Sequence, residues 1–210
     1  MSEFFSRRIG GYDEHMLHEV LGCKEGYLLM AQRIPKNSKR ILDLGCGTGL
    51  ELDEIFKVLP SLEVVGIDMC EDMLRVLGEK HPDKSLSLIS ANYLSYDFGK
   101  EEFDCVVSFE TMHHFLQDTK ISLYKKIKRA LSPGGIYIEC DYMAKDDKEE
   151  KELLSQYEAL REQHGIKKEE LYHIDIPFTV LHQKELLLGA GFETVEEIFR
   201  LGDTVMLIAK

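Results

Sequence analysis

A doubly wound α/β domain, with a mostly parallel sheet between two layers of helices, is the fold class that this 210-residue sequence predicts. Three observations predict it. The stretch ILDLGCGTG, residues 41–49, reads as a short apolar strand, then glycines at spacing two, then the start of a helix. The stretch LEVVGIDMC, residues 62–70, is a second apolar strand; it ends in Asp68 and leads into another helical pattern. Beyond it, short apolar runs keep alternating with helical periodicity, as parallel strands joined by crossover helices require.

In chain order, residues 1–11 read as a polar arm. A helix is expected from Gly11 to about Arg33, with Asp13 as its N-cap. The loop 34–39 leads to the first strand. A helix from Leu50 to Leu59 stops at Pro60, and the helix after Asp68 stops near Lys80, before His81-Pro82. SLSLIS, residues 85–90, is the third strand and FDCVVS, residues 103–108, the fourth. A helix from about Asp118 to Leu131 ends at SPGG, residues 132–135, read as a turn before the fifth strand, IYIECDY. Residues 143–182 read as an insertion. It contains a charged amphipathic helix ending near Gly165 and a short helix around 168–172. KELLLGAGF is then a helix with a glycine end, and VEEIFR and DTVMLIAK are the last two strands. The expected domain is single, spanning 1–210 with a cap segment at 1–35, and its seven-stranded sheet has an antiparallel last strand.

A glycine turn between a strand and a helix lets a ligand approach bare backbone and the N–H groups of the helix start. The turn does not satisfy the dinucleotide pattern G-x-G-x-x-G, because the third glycine would fall at position 50, which is Leu50. Asp43 ends the first strand, within reach of the turn's amides or of a ligand cation. Asp68, at the end of the second strand, can accept both hydroxyls of a ribose; its competing role is to cap the helix that follows.

Together ILDLGCGTG and VVGIDMCEDML resemble the first two motifs of class I S-adenosylmethionine-dependent methyltransferases of the small-molecule type. FDCVVSFETMHHF and ALSPGGIYIECDY are similar to that family's fourth and fifth strands, so the likeness runs from about Gly10 to the C-terminus. The resemblance implies S-adenosyl-L-methionine as cofactor and S-adenosyl-L-homocysteine as product. It implies cofactor contacts from Tyr12, Asp43, Gly45, Cys46, Gly47, Gly49, Asp68, Met69, Met73, Asn92, Tyr93 and Phe109. Asn92 stands where the family usually has an aspartate at the adenine edge; an amide can both donate and accept there. His113 and His114, beyond the fourth strand, are the candidate catalytic residues, since imidazole titrates near neutrality. An N-P-P-Y-like tetrapeptide of the nucleic-acid type is absent from that position. Asp141 ends the fifth strand, but no partner with metal-ligand spacing is recognisable, so no metal is expected.

Composition bounds the partners. The formal net charge is −12, and the only dense basic run, Lys125 to Arg129, reads as the solvated face of a helix. Nucleic acid is therefore not the expected partner. No run approaches the roughly 18 apolar residues of a membrane span, and MSEFFSRRIGG lacks a leader's apolar core. The five cysteines are scattered without C-x-x-C pairing, which fits reduced thiols in a cytoplasmic protein. The expected function is methyl transfer to a small organic acceptor by a monomer or homodimer. The acceptor's cover is expected from Tyr12 and the N-terminal helix, with Tyr142, Tyr172, His173, Phe178 and His182 opposite. Methylation of tRNA or protein, and remodelling of S-adenosylmethionine without methyl transfer, are the alternatives.

Overall fold

A computed structural model describes residues 6–166 and 174–210. The expected helix at 168–172, with Tyr172 and His173, lies outside the described residues. After a single 3-10 turn at Ile9–Gly11 come α1 (Tyr12–His18), α2 (Cys23–Arg33), β1 (Arg40–Leu44), α3 (Leu50–Val58), β2 (Glu63–Asp68), α4 (Glu71–Lys80), β3 (Leu86–Ser90) and β4 (Phe103–Phe109). A second 3-10 turn, Met112–His114, precedes α5 (Gln117–Ala130), β5 (Leu131–Tyr142), α6 (Asp147–His164), α7 (Val180–Gly189), β6 (Val195–Leu201) and β7 (Thr204–Ala209).

Among the described residues the strands form one seven-stranded sheet in the order β3-β2-β1-β4-β5-β7-β6. All neighbours from β3 to β5 pair in parallel, while β7 runs antiparallel to both β5 and β6. Strand order reverses between β1 and β4. In an open α/β sheet that is where a crevice forms beyond the carboxyl ends of the strands.

The strands are apolar on both faces because helices cover both. Leu42, Leu44, Val65 and Ile67 pack with α5 and α7. Ile41, Val64, Cys105 and Val107 pack on the opposite face with α2 and α3. The period-two alternation of strand side chains makes this division. All five cysteines are buried free thiols. No helix among the described residues is long and apolar enough to cross a membrane.

Three sequence expectations need correction. The N-terminal helix is broken between His18 and Cys23, because Gly22 takes a left-handed φ of 91° and lies against the sheet edge. A Cβ there would sit 2.9 Å from the Leu201 carbonyl oxygen. Asp13 does not cap α1; its Oδ1 accepts the Thr48 hydroxyl at 2.5 Å, which ties α1 to the glycine turn. The SPGG segment is not a turn before β5 but part of it. Pairing shifts from Phe103–Leu131 to Cys105–Ile136, and this irregularity absorbs the extra residues.

The basic run on α5 is also more engaged than a solvated face. The Lys126 ammonium donates to the carbonyls of Leu94 at 3.0 Å and Tyr96 at 2.8 Å, and also to that of Tyr93. Six residues earlier on the same helix, Lys120 is fully buried. It donates to Gln183 Oε1 of α7 at 3.0 Å, beside Glu139 of β5. Glu139 in turn accepts the Tyr124 and Tyr137 hydroxyls at 2.8 and 2.9 Å.

Gly49, in left-handed conformation at φ 78°, packs on α4; a Cβ there would come 2.3 Å from Leu77 Cδ1. Gly49→Ala should therefore destabilise the fold by about 1–3 kcal/mol, the usual cost of overpacking. Leu77→Ala should relieve part of that cost. Denaturant midpoints of the two single mutants and the double mutant test this; strictly additive losses would rule out the contact.

Candidate functional site

The β1–α3 turn is built from left-handed glycines, with φ of 73° at Gly45, 46° at Gly47 and 78° at Gly49. The three serve different ends. A Cβ on Gly45 would strike Thr111 Oγ1 at 2.7 Å, whereas one on Gly47 would meet nothing nearer than Met73 Sδ at 3.7 Å. Gly47 is thus the point where bare backbone faces open space. Asp68 braces it: Oδ2 accepts the Gly47 N–H at 3.0 Å and Oδ1 accepts the Cys70 N–H at 2.8 Å. The carboxylate therefore fixes Cys70, the residue before α4, and faces the cleft at once. Burial raises its pKa, and the backbone N–H groups offset part of that rise.

An inner cleft opens over this turn. Tyr12, Gly45, Gly47, Asp68, Met69, Met73, Asn92, Tyr93 and Phe109 all line it. Asn92 Oδ1 accepts the Leu94 N–H at 2.9 Å, closing a local turn, and Lys126 pins the carbonyls that follow. Together these hold the amide at the cleft edge. Tyr12 stays a neutral phenol, because burial and then Glu51 and Asp68 raise its pKa.

Three expected cofactor residues do not line the cleft. Gly49 packs on Leu77 as described. Cys46 turns its sulfur into the core, where a Cβ on Gly66 would touch it at 2.8 Å. Asp43 is fully buried beneath the turn, and among the described residues no backbone or side-chain N–H donates to either carboxyl oxygen. It lies beside Glu51 of α3, and two such carboxyls in a dry site cannot both ionise. Burial and then Glu51 hold the Asp43 pKa well above the carboxylate range; burial pushes Glu51 up to about 7.

Beyond β4 the chain kinks at Glu110, a non-glycine residue with φ 47°, whose N–H is fixed on the Cys140 carbonyl at 2.8 Å. The kink turns the Glu110 carboxyl into the cleft and starts the Met112–His114 turn. There Asp141, fully buried at the end of β5, accepts the Met112 N–H at 2.5 Å and holds His113 Nδ1. His113 Nε2 lies 3.5 Å from Asp175 Oδ1, and His114 Nδ1 lies 3.4 Å from the same oxygen. Burial disfavours charge on His113, but Asp141, Glu110 and Asp175 outweigh it and push the pKa to about 9. Asp141 is held below its usual range by His113 against the effect of burial. Burial and then Asp141 push Glu110 to about 8.

An outer cavity lies on this side, lined by His113, Tyr142, Asp175, Arg8, the α1 residues His15 and Met16, and Glu19 just after α1. Tyr12, Glu110 and His114 line both spaces. Of the expected cover, α1 and Tyr142 are present. Phe178 and His182 are not part of it: their rings stack at 4.4 Å, Phe178 lies against Lys120, and His182 pairs with Glu150 at 2.6 Å. Asp175 was missed by sequence reasoning; Glu110 and Thr111 fall in the stretch 108–114 expected to face cofactor and substrate but were not singled out within it.

The donor set fits S-adenosylmethionine. A two-oxygen acceptor stands at Asp68, thioether and aromatic walls at Met69, Met73 and Phe115 suit a flat base, and the turn exposes backbone at Gly47. Asp68→Ala should weaken binding of S-adenosylmethionine and its homocysteine product by about 1.5–3 kcal/mol, the scale of hydrogen bonds to a charged group. Calorimetry giving an unchanged affinity in a folded variant would reduce Asp68 to a helix cap.

The carboxyl pair predicts a pH effect. The Glu51 pKa of about 7 in the fold stands above its ordinary value of 4.5. Its contribution to stability is thus fully present below about 4.5 and lost as pH rises through about 7. Denaturation midpoints should fall across that window, and Glu51→Gln should flatten part of the fall. An identical pH profile in the variant would contradict the shared proton.

Residues 41–135 match a family model described as a methyltransferase domain. The carboxy-S-adenosyl-L-methionine synthase of Campylobacter fetus is 30% identical over 87% of this chain and 81% of its own length. The synthase of the same name from a Nitratiruptor species is 29% identical over 99% of this chain and 92% of its own. Among solved structures, a DhpI–SAM–HEP complex superposes with a TM-score of 0.74 at 14% identity, over 99% of this chain and 94% of that one. This likeness concerns the fold. The glycine turn, the acid at the end of β2 and the sheet order agree with these matches: the chain is a S-adenosylmethionine-using enzyme that belongs to the class I methyltransferase family.

Proposed function

We propose that the enzyme transfers a methyl group from S-adenosylmethionine to a small organic acceptor held in the outer cavity. One observation carries this reading: Tyr12, Glu110 and His114 line both the inner cleft and the outer cavity, so the two spaces meet at those side chains. When bound, the cofactor supplies a methyl carbon already activated by its sulfonium leaving group. The protein's part is then to align the acceptor and exclude water, which can lower a barrier by about 7–11 kcal/mol.

The chain's own groups suit that part. The rings of Tyr12 and Phe109 favour positive charge at the junction. Tyr12, Met16 and Tyr142 give the outer cavity apolar walls with polar tips, which suit a flat or weakly polar acceptor. His114 lines the junction of the two spaces, and His113, oriented by Asp141, lines the outer cavity beside it. A base is needed only where that atom keeps its proton.

A second reading comes from the relatives, whose name denotes S-adenosylmethionine carrying a carboxyl group. A carboxylate at the transferred carbon needs a cationic partner. The described lining of the outer cavity offers two cationic groups, the Arg8 guanidinium and His113 with its pKa raised to about 9, beside the carboxyl groups of Glu19, Asp175 and Asp203. Those two groups are the ones this second reading would use.

The test is a metabolite-extract screen with methyl-labelled cofactor, read by mass spectrometry. The expected result is S-adenosylhomocysteine together with a labelled small molecule. Label found only in protein or RNA would refute the small acceptor. A cofactor species heavier by one carboxyl group, with no homocysteine product, would establish the second reading instead.

A further inference from the structure

We propose that His113, His114 and Asp175 form a binding site for a divalent transition metal, of the zinc or manganese kind, in the wall of the outer cavity. The three donor atoms lie within 4.8 Å of one another. Asp175 Oδ1 stands 3.5 Å from His113 Nε2 and 3.4 Å from His114 Nδ1. Both distances exceed the roughly 2.7–3.2 Å of a hydrogen bond to nitrogen. They match the spacing of two ligands that share one tetrahedral ion: bonds of about 2.0–2.1 Å set such ligands about 3.4 Å apart.

Independent features support the donor geometry. The other ring nitrogen of His113 is held by Asp141, whose carboxyl also accepts the N–H groups of Met112 and Tyr142. That is the carboxylate–histidine arrangement that fixes the tautomer and aim of a metal-binding imidazole. The backbone holds the third ligand in place, since the Ile176 N–H donates to the His113 carbonyl at 2.7 Å. Asp141, held as a carboxylate, adds negative charge beside the cluster, which favours a cation there. The two imidazoles are buried, whereas the Asp175 side chain is 46% exposed, so an ion can enter and keep a position open to the cavity. Three protein ligands with an open position is the pattern of catalytic rather than structural metal sites.

The role of the ion rests on the methyl-transfer reading: the open position takes an oxygen or nitrogen donor of the acceptor, and the ion polarises it where a free histidine base would otherwise act. The site itself does not rest on that reading, and its test uses no acceptor. The full-length protein, stripped with a chelator, is titrated with Co2+ and followed by its visible absorption; Zn2+ is then titrated against a chromophoric chelator. One equivalent per chain is expected. His114→Ala and Asp175→Asn should each weaken binding by at least about 100-fold, and Asp141→Asn by about 10–100-fold. Glu19→Gln, in the same cavity but outside the cluster, should bind as the parent does. Circular dichroism and S-adenosylhomocysteine binding check that each variant is folded. Absence of cobalt bands in the parent, or undiminished binding in folded Asp175→Asn, would overturn the site and leave the methyl-transfer reading standing. Metal binding without any methylated product would do the reverse.

Discussion

The hydrogen bond from the Gly47 N–H to Asp68 Oδ2 is the tie on which the site depends. It joins the turn after β1 to the end of β2, the two places where the chain leaves the sheet toward the crevice. The turn can present bare backbone only because its glycines accept left-handed conformations. A carboxylate one strand away takes the Gly47 donor, and the Ile67 carbonyl takes those of Gly45 and Cys46, so the turn is held against the end of β2. The same carboxylate fixes Cys70, the residue before α4, and α4 carries Leu77 against Gly49 and Met73 into the cleft. A single side chain thus sets strand end, turn and helix together.

A second constraint follows from the crowd of acids at the carboxyl edge of the sheet. Asp43, Glu51, Asp68, Glu110 and Asp141 all lie close to that edge, each at most partly exposed. Burial works against their ionisation, and the protein resolves the conflict in three ways. Asp43 and Glu51 hold a proton between them. Asp68 is met by backbone N–H groups. Asp141 is paired with His113. The resulting region is one where added positive charge is stabilised, as a cationic cofactor requires.

Much of this was legible in the sequence because it is local. Strand, glycine turn and helix follow one another within 41–58, and Asp68 ends an apolar run, so fold class and cofactor cleft could be read from neighbouring residues. What was not legible depends on contacts distant in the chain. The break before Cys23 follows from Gly22 meeting Leu201 across the sheet edge. Asp175 reaches His113 and His114 from the far side of α6, and nothing around it marks it as a ligand. The displacement of Asp43, Cys46 and Gly49 from the cleft has a different origin. A motif gives residue types, but alternation along the strand and the left-handed turn decide which side chains face the ligand and which face the core.

Lys120 has a consequence for how this chain can change over generations. Its ammonium is buried among Gln183 and Glu139, and Tyr124 and Tyr137 complete the Glu139 carboxyl's partners. Removing one member leaves another polar group stranded without water, at a cost of about 3–5 kcal/mol where the group is charged. Stepwise substitution through that intermediate is selected against, so α5, β5 and α7 inherit these positions as a block. Descendants of this chain should keep the set whole or exchange it whole for an apolar one. Positions 120, 124, 139 and 183 should then vary together, although up to 63 residues of sequence separate them.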